Sequence, residues 1–272
     1  MKTTEDSFKK NPVKISVITA TWNSGATIED TLRSVLDQTY GNIEHIIVDG
    51  NSDDSTMETV RKYADKYRSR GLELKWVSEP DKGIYDAMNK GITLASGDIV
   101  GLLNSDDFFT APTVLEKIAS AFHGKGNEID AVYGDVHYVN PDRLGKSVRY
   151  YSSRAFTRDR MRMGFMPAHP SFYCRRGIYK EYGLFDISFK IAADFEQLLR
   201  LIYIHRIKTH YIPMDFVTMR TGGASSSGFK SHRRIYAEHR KAYEKNGVNS
   251  NFFLESLRYL YKITEVCKAN LH

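Results

Sequence analysis

The chain has 272 residues, 39 Lys and Arg against 33 Asp and Glu, and a formal net charge of +6. Its 41% hydrophobic and 26% charged content describes a globular chain rather than a disordered one. No apolar run approaches the ~18–20 residues of a membrane span, and Met1–Asn11 is too polar for a secretory signal. Cys174 and Cys267 have neither metal nor redox spacing, so a reducing cytoplasm is the expected compartment.

Residues 1–140 carry 15 Lys/Arg against 22 Asp/Glu, a balance of −7; residues 141–272 carry 24 against 11, a balance of +13. The acidic half alternates apolar β-branched runs with helical spacing. Strands are predicted at Lys14–Ala20, Asn42–Asp49, Leu72–Ser78 and Gly97–Asn104, and helices at Glu29–Gln38, Asp54–Ser69, Ile84–Ala95 and Thr113–Phe122. That rhythm predicts an α/β fold with a mainly parallel central sheet flanked by helices. The basic half is less regular. It suggests strands at Asp130–Tyr138, Lys146–Tyr151 and His210–Met219, a short apolar segment at Ser171–Arg175, and helices at Ala193–Ile204, Ser231–Asn246 and Phe252–Ala269. Gly222–Gly228 reads as a loop and a candidate lid.

In parallel sheets ligands sit beyond the carboxyl ends of the strands, and the polar motifs follow those ends. Thr19–Gly25 (TATWNSG) lacks GxGxxG and a Walker lysine, so neither dinucleotide nor P-loop fingerprint fits; Trp22 offers a ring for stacking on a base. In VDGNSDDST, Asp49 ends a strand, where it can accept hydrogen bonds from a base or ribose. Asp53, Asp54 and Ser55 read as caps of the next helix. SEPDKGIYDAMNKG places Asp81 and Lys82 just before a helix, with Tyr85 and Met88 as core residues. LLNSDD sets Asp106 and Asp107 at the end of a buried strand, where an unpaired carboxylate is costly. A divalent cation bound to phosphate is a partner that suits it.

Together VITATWN, VDGNSDDST, SEPDKGIYDAMNKG and SGDIVGLLNSDD resemble family 2 glycosyltransferases of the GT-A fold, closely over residues 13–122. A looser likeness runs through HPSFYCRR, YGLFD and AADFEQLLR to about residue 200. The resemblance implies a nucleotide-diphosphate sugar as donor and Mn²⁺ or Mg²⁺ as cofactor. It places Thr19, Trp22 and Asn23 around base and ribose, Asp49 on the base, and Asp81 and Lys82 in the donor site. LNSDD becomes the family's Asp-x-Asp motif. Asn104 stands where many relatives have the first Asp, as in an LN-x-DD pattern resembling capsule and exopolysaccharide transferases. Ser105 joins the donor site, and Asp106 is the metal ligand.

Asp194 in IAADFEQLLR matches the family position of the general base in an inverting transfer, with Glu196 the local runner-up. His169, between Pro167 and Pro170, and Asp107 are assigned to the acceptor side. The domain reading is one GT-A domain over 1–228, divided into a nucleotide-sugar half (13–122) and an acceptor half (123–228). A C-terminal extension of basic and amphipathic helices follows over 229–272.

Seven Lys/Arg between Arg143 and Arg162, and the cluster Lys230–Lys245, suit an anionic membrane surface or a lipid pyrophosphate. They come with no nucleic-acid-binding motif, so nucleic acid is not an expected partner. The last predicted helix fits packing on the catalytic domain ahead of a homodimer or membrane contact. The leading function is transfer of one sugar to a saccharide or lipid-linked acceptor in surface-polysaccharide synthesis, peripheral on the inner membrane face. A nucleotidyltransferase would want a basic Gly-rich phosphate loop, which TATWNSG is not. A silent nucleotide-sugar-binding protein is the third reading, and Asn104 is what favours it.

Overall fold

A computed structural model describes residues 12–125, 128–222, 228–251 and 254–255. Apart from Leu254 and Glu255, the predicted helix Phe252–Ala269 lies outside the described residues, as do Met1–Asn11 and 223–227 of the candidate lid.

Runs of Ile and Val make β1 (Ile15–Thr21) and β2 (Ile43–Asp49), each buried along its whole length. Strands covered on both faces read as continuous apolar runs rather than as alternation. β3 (Glu73–Ser78) closes one edge, and β4 (Ile99–Leu102) lies on the other side of β1. These four strands are parallel. Their register sets Thr21 beside Asp49 and Asp49 beside Ser78, so the polar ends of three strands meet at one rim.

Beyond β4 the polarity changes. The sheet runs β3-β2-β1-β4, then β8 (Tyr173–Arg175), β6 (Ala131–Asn140), β9 (Thr209–Arg220) and β5 (Phe108–Phe109), with β7 (Arg143–Tyr151) also on β6. β8 is antiparallel to both β4 and β6, and β6 and β9 are parallel. The sheet is therefore parallel over β1–β4 and mixed from β8 onward, where strands of both halves build it.

Side chains alternate across β1. Ile15 and Val17 face one core with α1 (Ile28–Leu36), α2 (Thr56–Ser69) and α4 (Val114–Lys125). Ile18 and Ala20 face the other. There α3 (Ile84–Leu94), α6 (Ala193–Leu198) and α7 (Gly228–Lys245) supply Met88, Phe195 and Tyr243. The predicted helix Ala193–Ile204 is α6 followed by a π-helical turn over Leu199–Ile204, a change too short to alter apolar spacing. Among the strands and α-helices, three were not foreseen: the two-residue β5, α5 (Arg176–Tyr182), and β8, which the sequence shows only as a short apolar segment.

Gly101 of β4 lies against the fully buried Tyr173, and a Cβ there would come within 2.0 Å of its ring. Gly101→Ala should destabilise the fold by ~1–3 kcal/mol through overpacking, measured by denaturant unfolding. An unchanged midpoint would show that the ring has room to move.

Candidate active site

The strand ends open onto one cleft of about 780 Å³. Trp22, Asn23, Asp81, Asn104, Ser105, Asp106 and Asp107 line it from the acidic half, and His169 and Asp194 from the basic half. Three sequence-predicted residues lie outside that lining: Thr19, Asp49 and Lys82.

Thr19 is fully buried, with its hydroxyl 3.0 Å from His45 Nε2. Burial pushes the His45 ring down to about 3, so it is neutral. Tyr67 Oη donates to the Leu32 carbonyl and so accepts from His45 Nδ1–H, which leaves Nε2 to accept from Thr19. Thr19 thus fastens the sheet to α2. Two residues on, the same side of the strand end belongs to the cleft through Thr21, whose buried hydroxyl has no protein partner. Thr21, and not the predicted Thr19, therefore lines the cleft.

Asp49 is also fully buried, and its carboxylate accepts from Ser52 N–H (3.1 Å), Ser52 Oγ (2.5 Å) and Ser78 Oγ (2.6 Å). It shapes the loop behind the cleft instead of facing into it. Ser52 Oγ in turn accepts from the backbone N–H of Asn23 (2.8 Å), and Asn23 Oδ1 accepts from Asp53 N–H (3.0 Å). These bonds hold Asn23 at φ 48°, a left-handed conformation that Asn tolerates. They leave Trp22 at the rim, 68% exposed, with a free ring face. A Cβ on Gly50 would fall 2.7 Å from Asp81 Oδ2, so glycine is what lets that carboxylate approach. Lys82 donates its N–H to Asp86, and its side chain is exposed.

In LNSDD the two carboxylates divide their work. Asp107 is 1% exposed; it accepts from Asn104 Nδ2 (3.1 Å) and Arg220 N–H (3.3 Å), and Thr31 donates to its carbonyl (2.7 Å). It fastens the turn while still lining the cleft. Burial, then the neighbouring Asp106, push its carboxyl well above the usual range. Burial also raises Asp106, with Arg220 pulling the other way. Arg220 pairs with Asp30 and donates to the Asp106 carbonyl, and Ser24 Oγ meets Ser105 Oγ at 2.8 Å.

Across the cleft Asp194 opens α6. Its Oδ1 accepts from Phe195 N–H (2.8 Å) and lies 3.5 Å from Tyr85 Oη. Burial raises its pKa, and His169 opposes that shift. The His169 ring is pushed down by burial and held up in part by Asp194. A carboxylate made more basic beside an imidazole can take a proton from a hydroxyl. The runner-up Glu196 is fully buried against Arg200 and Lys245, away from the cleft lining.

Sequence reasoning missed Thr21, Tyr85, Lys190 and Arg220 as cleft residues. The strand-end rule, applied to β9 as to β1–β4, flags Arg220. Tyr85 was read as core, which its ring is; its hydroxyl reaches the Ile191 carbonyl at 2.6 Å.

Residues 16–183 match the family model described as glycosyl transferase family 2. The chain belongs to that family. It is 30% identical over 212 residues to a PGL/p-HBAD biosynthesis glycosyltransferase of Mycobacterium bovis (strain BCG / Pasteur 1173P2), covering 78% of each chain. A glycosyltransferase of Mycobacterium tuberculosis (strain CDC 1551 / Oshkosh) is 32% identical over 232 residues, 84% of each. Among solved structures, a mannosyltransferase from Pyrobaculum calidifontis in complex with GDP-Man and Mn²⁺ superposes with TM-score 0.65 at 20% identity, over 96% of this chain and 74% of that one. S. aureus TarS 1–349 in complex with UDP-GlcNAc gives 0.62 at 22%, over 83% and 66%. This chain covers 43% of the longer TarS chain. The protein is a glycosyltransferase with the GT-A fold of these neighbours.

Proposed function

We propose that this glycosyltransferase moves one sugar from a nucleotide-diphosphate sugar to an acceptor hydroxyl with inversion at the anomeric carbon. The observation that carries the reading is the pair of cleft carboxylates, Asp106 and Asp194, on separate elements and both made more basic by burial. Donor complexes in the fold neighbours, with UDP-GlcNAc and with GDP-Man, support the donor class.

Asp106 offers a hard anionic oxygen where burial disfavours an unneutralised charge, which fits Mn²⁺ or Mg²⁺. Among the described residues no three His, Cys, Asp or Glu gather as a metal cluster, so Asp106 would hold the cation together with diphosphate and water oxygens. When bound, the cation stabilises charge on the departing diphosphate. Trp22 stacks on the base, while Thr21, Asn23 and Asp81 hold the nucleoside. Asn104 and Ser105 shape the turn that presents Asp106. Asp194 takes the acceptor proton as the hydroxyl oxygen attacks, and His169 steadies the carboxylate.

Residues 13–122 then serve the donor and 123–228 the acceptor, with α7 packed on the acceptor side. A saccharide or lipid-linked acceptor in surface glycan synthesis suits the basic second half, as does work at an anionic membrane surface on the cytoplasmic side. No described helix is long and apolar enough to cross a membrane.

UDP-GlcNAc and GDP-mannose, added with Mn²⁺ or Mg²⁺, test the donor reading. One of them should raise the melting temperature and release its nucleoside diphosphate slowly, and a chelator should abolish both effects. Release of pyrophosphate from a nucleoside triphosphate would favour nucleotidyl transfer instead.

A further inference from the structure

The family match ends at residue 183, ahead of both Asp194 and α7. Helix α7 nevertheless packs directly on the element that bears Asp194. The His239 ring lies flat on Phe195, with centroids 3.8 Å apart and planes 8° apart, and Tyr243 meets the same Phe195 edge-on at 5.4 Å. Tyr243 Oη donates to the Met161 carbonyl (2.7 Å), and Lys241 Nζ to Ser188 Oγ (2.8 Å).

Between these contacts sits Glu238. Its carboxylate accepts from three successive backbone N–H groups just ahead of Asp194: Lys190 (3.0 and 3.1 Å to the two oxygens), Ile191 (2.9 Å) and Ala192 (2.9 Å). Backbone donors away from water need partners, and bonds to an ionised acceptor are about twice as strong as neutral ones. The same peptide segment is held from the opposite side. The Ile191 carbonyl accepts from Tyr85 Oη (2.6 Å), and that hydroxyl lies 3.5 Å from Asp194 Oδ1. A continuous chain of contacts therefore joins Glu238, the Ile191 peptide, Tyr85 and Asp194. Lys190, Ile191 and Asp194 all line the cleft.

We infer that Glu238 is a positioning residue for the general base: it fixes the Lys190–Ala192 segment from α7 and so sets where the Asp194 carboxylate faces the acceptor. The inference rests on the reading of Asp194 as the base. Asp194 Oδ1 is held by the adjacent Phe195 N–H and by Tyr85, so its direction follows the segment that precedes it. A misplacement of ~1 Å in a catalytic group can cost about 10²-fold in rate. The side chain at 238 touches no cleft surface, so its loss should appear in turnover and not in donor binding.

The test uses the full chain with Mn²⁺ and whichever of UDP-GlcNAc or GDP-mannose raises its melting temperature more, following nucleoside diphosphate release. Glu238→Ala should lower kcat by ~10–100-fold while donor KM stays within about two-fold. Glu238→Gln keeps one acceptor oxygen and should recover part of the loss. In the double variant with Asp194→Asn, removing Glu238 should cost nothing more, because both changes act on one group. Should Glu238→Ala fail to fold, the Gln variant and its cycle carry the same comparison. Wild-type kcat in a folded Glu238 variant overturns the inference, and so do losses that add to those of Asp194→Asn. Normal release by Asp194→Asn itself overturns the base assignment and the inference with it. A dead Asp194→Asn enzyme combined with an independent Glu238 effect overturns the inference alone.

Discussion

Asp194→Asn should slow sugar transfer by ~10²–10⁴-fold, the usual contribution of a general base, and leave the donor-induced rise in melting temperature intact. The amide is nearly isosteric and keeps an oxygen for Phe195 N–H, so the 2.8 Å bond that orients the side chain can survive. What disappears is proton affinity. In the wild type, burial lifts the Asp194 carboxyl above its ordinary value, more than the nearby His169 lowers it. A base works only when deprotonated. Activity should therefore fall as pH drops through a midpoint above that of an ordinary aspartate, and rise to a plateau on the alkaline side. His169→Ala removes the opposing influence, so that midpoint should move further up. A rate in Asp194→Asn close to wild type, or a pH profile with no acid limb, would take Asp194 out of the mechanism.

The donor side of the molecule was legible because its chemistry sits on regular elements. β1, β2 and β4 are apolar runs bounded by turn residues, and each hands its motif to the same rim. Register was the harder matter. Pattern alone does not say which of Thr19 and Thr21 faces the ligand, because both are small polar residues in a strand buried on both faces. His45 decides it: a buried imidazole needs partners, and Thr19 supplies one. Asp49 and Asp107 were expected to meet ligands, Asp49 because it ends a strand and Asp107 on the acceptor side. Local bonds from Ser52 and Asn104 and long-range ones from Ser78 and Arg220 occupy both carboxylates. The second half was less legible for a topological reason. β8 reverses the sheet polarity with three residues, and β5 holds β9 with two; neither is long enough to show a period. Glu238 carried no local signal at all. Its partners lie 46–48 positions earlier in the chain, and they are backbone groups.

Asp106→Ala should abolish metal-dependent transfer, with a loss of ~10³-fold that corresponds to about 4 kcal/mol of transition-state stabilisation. Asp107 cannot take over. Its two oxygens already serve Asn104 and the Arg220 backbone, and turning it toward a metal would undo the strand-end turn. Arg220 is likewise committed, to Asp30 and to the Asp106 carbonyl, a backbone contact that survives truncation of the side chain. The two carboxylates of LNSDD should therefore separate in stability as well as in activity. A buried acid whose pKa is raised opposes folding at neutral pH, because its ionised form is the disfavoured one. Removing Asp106 should leave the metal-free melting temperature unchanged or higher. Asp107, which burial raises as well, shares that penalty, but Asp107→Ala also orphans the Asn104 amide and the Arg220 N–H, so its melting temperature should fall below that of Asp106→Ala. Paired thermal melts with and without Mn²⁺ plus donor would read both effects. The wild type should gain stability only when both ligands are present, and Asp106→Ala should lose the Mn²⁺-dependent part. If Asp106→Ala keeps that Mn²⁺-dependent gain, the cation is held elsewhere in the cleft and Asp106 is not its ligand.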